Sequence, residues 1–154
     1  MKNHDIDRIY LGIVKGNHIN DSGFIDEPIG RDPKNRIKMA INRKNGKRAC
    51  THYVKLAEND DYALMAFRLE TGRTHQIRVH MAHLGWPLLG DEVYGPKQSK
   101  FSLQGQCLHA YKLGFEHPTT KEYMGFYAPV PKYFSHLTKV LHIEYDLKDL
   151  ESLI

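Results

Sequence analysis

Short apolar runs bounded by turn residues mark strands through the first half of this chain, and the period becomes helical near Thr74. Residues 10–14 read as a short strand closed by Gly16. Residues 20–36 hold two prolines, two glycines and several charges, so they are expected to be mainly loop. Residues 37–41 suggest a brief strand, and Asn45-Gly46 predicts a hairpin between it and the next apolar run. Residues 49–57 and 62–69 follow as two strands joined by the polar turn 58–61, hence antiparallel. In the second, Ala63, Met65 and Phe67 share one face, with Leu64, Ala66 and Arg68 on the other.

From Thr74 the apolar residues Ile77, Met81 and Leu84 fall on one helical face. Thr74 is the expected N-cap, Gly85 the residue just past the helix, and Pro87 forbids its continuation. Residues 108–115 and 123–128 read as a second antiparallel pair, joined through His117-Pro118 and the residues that follow. Pro131 is placed to start a helix with the stripe Phe134, Leu137 and Leu141, and Leu147, Leu150 and Ile154 suggest a last helical segment. Strands and helices are mixed without strict alternation, which predicts an α+β domain spanning residues 1–154, with a mixed, largely antiparallel sheet and flanking short helices.

A length of 154 residues suits one domain with its own core. The chain is basic, with 22 Lys+Arg against 18 Asp+Glu, which favours an acidic partner, nucleic acid first. The two cysteines, Cys50 and Cys107, lie far apart and outside any Cys-x-x-Cys pair, which argues against a zinc ribbon or redox motif and fits a reducing cytoplasm. The first ten residues have no apolar h-region, and no apolar run reaches the ~20 residues of a membrane span, so neither a signal peptide nor a membrane partner is expected.

The chemistry concentrates in residues 68–96. Arg78 sits on the border of the apolar helical stripe, where a partly shielded guanidinium needs an acceptor. Arg73 and Thr74 stand at the positive end of the helix, an arrangement suited to an anion. The bland alternative is a surface ion pair for Arg78 and a solvated loop for Arg73. His75, His80 and His83 do not share one helical face, so no metal is expected there. Lys34, Arg36, Lys38, Arg43, Lys44, Lys47 and Arg48 are candidates for phosphate contacts, against a solvated hairpin face. Tyr53, Tyr62, Tyr94 and Trp86 can stack on bases, with core packing the default. Asp91 favours a turn or ion-pair role, and His109 a packed, hydrogen-bonded one.

Gly72-Arg73-Thr74-His75-Gln76-Ile77-Arg78-Val79-His80, continuing to Gly90-Asp91 and Tyr94-Gly95, closely resembles the third conserved motif of RluA-type RNA pseudouridine synthases. Tyr10-Leu11-Gly12-Ile13-Val14-Lys15-Gly16 resembles that family's tyrosine strand. Gln106-Cys107-Leu108-His109-Ala110, His117-Pro118 and Ala128-Pro129-Val130-Pro131 resemble its C-terminal part. The resemblance implies part of a pseudouridine synthase catalytic domain, acting on ribosomal or transfer RNA in the cytoplasm without metal or organic cofactor. It implies that Arg78 pairs with the family's catalytic aspartate and that Tyr10 lies against the uracil of a flipped-out uridine. Leu69 and Ile77 are implied as packing neighbours. RNA contacts are expected from Arg73, Thr74, His75, Gln76 and His80, with Lys47 and Arg48 from the basic set.

The sequence departs from the family before Tyr10, where the catalytic-aspartate motif, the S4-like RNA-binding domain that many members carry and the first strands of the catalytic sheet would be expected. The aspartate belongs to a His-Arg-Leu-Asp motif well upstream of the tyrosine, and only nine residues precede Tyr10 here. Asp5 and Asp7 stand too close to Tyr10 to take its place. Expectation therefore divides between an inactive fragment of a longer enzyme, a split gene and a non-catalytic RNA-binding module. A histidine metal hydrolase is the remaining rival. In the fragment readings Arg78 lacks the carboxylate it should hold, and the sheet edge left by the missing strands invites self-association.

Overall fold

Two apolar faces on one pair of central strands organise the protein. The computed structural model describes residues 6–16, 18–97, 101, 103 and 105–154. Its strands are β1 (Ile6–Lys15), β2 (Ser22–Asp26), β3 (Ile29–Arg31), β4 (Met39–Ile41), β5 (Cys50–Glu58), β6 (Tyr62–Leu69), β7 (Leu108–Glu116) and β8 (Tyr123–Tyr127). The helices are α1 (Gln76–His83), α2 (Lys132–Val140) and α3 (Leu150–Leu153). Six strands form one antiparallel sheet in the order β2-β5-β6-β1-β7-β8, and β3 and β4 form a separate two-stranded sheet.

The centre is the β1–β6 pair, in register from Ile9↔Arg68 to Lys15↔Tyr62. Ile9, Leu11, Ile13, Leu64 and Ala66 point to one side, where Phe134, Leu137 and Leu141 from α2 and its end cover them with Leu150. Val14, Ala63, Met65, Phe67 and Leu69 point to the other, where α1 seats Ile77 and Met81. The face division read along residues 63–68 thus holds. Burying a side chain of this size contributes roughly 1.5–3 kcal/mol, so these two layers dominate stability.

Three local expectations are corrected. Residues 20–36 contain β2 and β3, whereas the sequence suggested mainly loop. β2 is an outer strand in which only Ile25 is buried, so alternation had almost nothing to show. Asn45-Gly46 does not join paired strands: β4 pairs with β3 through Ile29↔Ile41, while β5 pairs with β2 and β6. The turn instead sends Lys47 back to Ile29, with both backbone hydrogen bonds between them at 2.9 Å. Helix α1 begins at Gln76 behind His75, which is left-handed (φ 56°, ψ 25°) and makes no side-chain cap, so Thr74 is not the N-cap.

A buried polar chain fixes α1 to the sheet. His80 Nε2 must donate to the Glu27 carbonyl at 2.9 Å, because that oxygen only accepts. Its Nδ1 therefore accepts from the Thr51 hydroxyl at 2.8 Å, and Thr51 Oγ1 accepts from Gln76 Nε2 at 2.9 Å. Burial holds the His80 imidazole below its usual pKa, with the bond to Glu27 opposing more weakly. Below about pH 6.5 the unfolded chain therefore takes up a proton that the folded His80 resists, and stability falls with pH. Urea titrations between pH 7.5 and 5 are expected to show that slope. Thr51→Val, which leaves His80 Nδ1 and a Gln76 N–H unpaired, is expected to cost about 1–3 kcal/mol in the same measurement at pH 7.5.

Candidate nucleic-acid interface

The loop between β6 and α1 is shaped by one side chain. Gln76 is 2% exposed. Its Oε1 accepts from the Thr71 hydroxyl at 2.7 Å and the Arg73 N–H at 3.0 Å. Its Nε2 donates to the Cys50 carbonyl at 3.0 Å as well as to Thr51. All four hydrogen-bonding positions of the amide are filled. The turn before α1 is thus held from inside by an amide, and the Arg73 N–H expected to face an anion is already committed. Gln76 and His80, expected to contact RNA, are buried instead.

Arg73 is placed at the lip of a cleft. Its Nε donates to the Arg48 carbonyl at 2.7 Å. The cleft, about 360 Å³, runs between this loop and the β3–β4 hairpin; Arg31, Asn45, Lys47, Gly72, Arg73 and Thr74 are among the residues lining it. Three cations, a hydroxyl and an amide therefore face one concavity. Arg73, Thr74 and Lys47 come together as a group, although Lys47 is far from the others in sequence. Arg48 turns elsewhere: its guanidinium lies 3.4 Å from Asp26 and 3.6 Å from Glu70.

Arg78 lies on the flank of α1 and is 12% exposed at its side chain. The acceptor it needs is Asp91. Its Nε and Nη2 each donate to Asp91 at 3.0 Å, a two-pronged pair that fixes the guanidinium plane. Asp91 Oδ1 also accepts the Val93 and Tyr94 N–H groups at 3.2 Å, so Asp91 fills both the turn and the ion-pair role. Arg78 stacks 5.0 Å from the centre of the Tyr94 ring. The Tyr94 hydroxyl meets His75 Nδ1 at 2.8 Å and accepts the Met39 N–H at 3.0 Å. Tyr94 is therefore a clamp between α1 and β4. Trp86 likewise packs edge-on against Tyr53.

Tyr10 sits at a register shift in β1, partly buried against the cluster that contains Leu69 and Ile77. Arg8 lies two residues earlier on the same strand face. A Cβ at Gly72 would stand 2.6 Å from Arg8 Nη1, so glycine lets the loop close over that guanidinium. Arg8 Nη1 is buried and has no hydrogen-bond partner among the described residues. Arg8 and Arg31 were not picked out from the sequence. The i, i+2 relation to Tyr10 was the available signal for Arg8; Arg31 reaches the cleft only through a hairpin that the sequence pattern hid.

Of the remaining candidates, Asp5 lies outside the described residues, and the Asp7 carboxylate accepts from the Tyr123 hydroxyl at 2.6 Å. Both His80 ring nitrogens are engaged and His75 faces Tyr94, so these histidines do not converge on a common point. His109 Nε2 donates to the Ala128 carbonyl at 3.0 Å. No helix among the described residues is long and apolar enough to cross a membrane.

Residues 1–83, more than half of the chain, match the sequence model of the family described as RNA pseudouridylate synthase. An uncharacterized RNA pseudouridine synthase of Bacillus subtilis, YlyB, is 48% identical over 139 residues, covering 90% of this chain and 45% of its own length. The ribosomal large subunit pseudouridine synthase D of Neisseria meningitidis serogroup A is 42% identical over 154 residues, covering 94% of this chain and 41% of its own. Among solved structures, human RNA pseudouridylate synthase domain containing 1 superimposes with a TM-score of 0.78 at 28% identity, over 99% of this chain and 65% of that one. The chain thus spans somewhat less than half the length of the curated relatives it matches. It belongs to the RNA pseudouridylate synthase family.

Proposed function

We propose that these residues form the RNA-holding side of an enzyme that isomerises uridine to pseudouridine in ribosomal or transfer RNA, in the cytoplasm and with no cofactor in the reaction. The observation that carries this reading is the cleft shared by Arg31, Lys47, Arg73 and Thr74, on a chain of this family. Cations grouped in one concavity bind a phosphate backbone and release its counterions, which gives affinity without sequence preference. Gln76 and His80 serve from beneath, by holding the loop that carries Arg73.

Arg78, oriented by Asp91 through two of its N–H groups, has further N–H groups to offer the family's catalytic aspartate. A carboxylate held by an arginine stays ionised, which suits a group that attacks or deprotonates. Tyr10, on the strand beside Arg8, supplies a ring for the uracil. The 154 residues contain no His-Arg-Leu-Asp sequence, so taken alone they bind RNA without turning it over. The outer strand β8 exposes all five of its residues, including Tyr123, Phe126 and Tyr127, and offers a surface for self-association.

Two measurements test this. In anisotropy titrations with a structured ribosomal RNA fragment, affinity is expected to fall steeply with salt. Arg73→Ala and Lys47→Ala are each expected to lower the slope of log K against log salt by about 1. Binding that ignores salt, or slopes that these changes leave untouched, would remove the cleft from the interface. Tritium release from 5-³H-uridine RNA is expected to stay at background with these residues alone; turnover would overturn the inactive reading.

A further inference from the structure

A second cluster lies beside the cleft and has no part in the reaction proposed above. Cys50 and His52 are two residues apart on β5 and so point to one face. Glu70 follows β6, and its backbone N–H donates to the Cys50 carbonyl at 3.1 Å. The Cys50 thiol donates to Glu70 Oε2 at 3.1 Å, and its sulfur stands 3.9 Å from His52 Nε2. His52 Nε2 also meets Glu70 Oε2. One sulfur, one imidazole nitrogen and one carboxylate oxygen thus lie within 4.8 Å of one another.

We propose that Cys50, His52 and Glu70 form a binding site for a thiophilic divalent cation of the zinc class. A tetrahedral zinc site has bonds of about 2.3 Å to sulfur and about 2.0–2.2 Å to nitrogen and oxygen, which places neighbouring ligand atoms roughly 3.5 Å apart. The two sulfur contacts, at 3.9 and 3.1 Å, straddle that distance; the His52–Glu70 hydrogen bond is tighter and must open for a cation to enter between them. Sulfur with nitrogen and a single carboxylate favours zinc over magnesium or calcium, which take oxygen.

The frame of the site is rigid. The Cys50 N–H donates to the Thr71 hydroxyl at 3.0 Å and the Cys50 carbonyl accepts from Gln76, so the thiol cannot swing away with its backbone. The Phe24 ring, 5.8 Å from the His52 ring, packs beside the imidazole. His52 and Glu70 are 29% and 36% exposed at their side chains, which gives a cation a way in. Arg48 lies against Glu70 Oε1, leaving Oε2 to the cation. Three protein ligands leave a fourth position for water.

Without a cation, Glu70 Oε2 collects hydrogen bonds from both His52 and Cys50. These hold its carboxyl down at about 2, so it is an anion throughout the working pH range. Burial, then the bond to Glu70, pushes the Cys50 thiol up to about 12. Binding breaks the S–H bond, forms a sulfur–metal bond and releases the proton to solvent. This inference does not rest on the RNA reading: the two can fail separately.

The test uses the whole reduced chain, treated with chelator and titrated with Co²⁺. The expected result is a near-ultraviolet sulfur-to-cobalt charge-transfer band with visible bands of tetrahedral intensity, saturating at one equivalent and bleached by Zn²⁺. Cys107→Ala changes the other cysteine, buried in the layer beneath α2, and is expected to keep the band. Cys50→Ser is expected to abolish it, and His52→Ala to weaken binding by more than about ten-fold. Should Cys50→Ser fail to fold, Zn²⁺ protection of Cys50 from alkylation is read in the parent by mass spectrometry, with Cys107 as internal reference. The proposal is overturned by absence of the band at about 1 mM Co²⁺, by its survival in Cys50→Ser, or by alkylation of Cys50 that Zn²⁺ does not slow.

Discussion

The amide of Gln76 is the constraint on which the working face depends. A buried amide must satisfy two donors and two acceptor positions, and leaving one unmet costs about 1–3 kcal/mol. Here the four partners come from three places: Cys50 and Thr51 on β5, Thr71 after β6, and Arg73 before α1. No other side chain of similar volume meets all four. The same residue sets where the helix starts, how the loop closes over Arg8, and where Arg73 stands above the cleft. It also anchors Cys50, one of the three ligand residues of the proposed cation site.

A layered core makes that precision possible. The β1–β6 pair is buried on both faces, so neither strand can slip by one residue without exchanging its two apolar sets. The margin of the sheet inherits the fixed register. There the chain places its polar chemistry: the Thr51–His80–Glu27 relay, the Arg78–Asp91 pair and the basic cleft. The division explains why α1 carries both kinds of residue. Ile77 and Met81 fasten it to the core, while Arg78 on its flank is aimed by Asp91 from the following loop.

What the sequence made legible follows from how local each signal is. The strands of residues 62–69 and 10–14 and the helix stripe Ile77, Met81, Leu84 are written in neighbouring residues, and the antiparallel α+β architecture came with them. The family resemblance was legible for the same reason, being carried by contiguous motifs. β2 and β3 were hidden because an outer strand with a single buried residue has no period to read. Thr74 failed as a cap because the chain turns left-handed at His75 and Gln76 fastens that turn to β5 from inside, a long-range event seen only with β5 in place. The partner of Arg78 lies thirteen residues on, across Gly85 and Pro87, where helical spacing no longer helps. Arg73 and Lys47 were each marked as cations; that they share one cleft depends on a hairpin closing against the loop.

The most direct test of this dependence is amide hydrogen exchange in Gln76→Met, which keeps the volume of the side chain and removes its four hydrogen bonds. The Arg73 amide is predicted to lose protection by about ten-fold or more relative to Leu11 and Met65 in the β1–β6 core, in line with one lost hydrogen bond. Arg73 protection that stays unchanged, or that falls only in step with those core amides, would contradict the claim that Gln76 holds the loop.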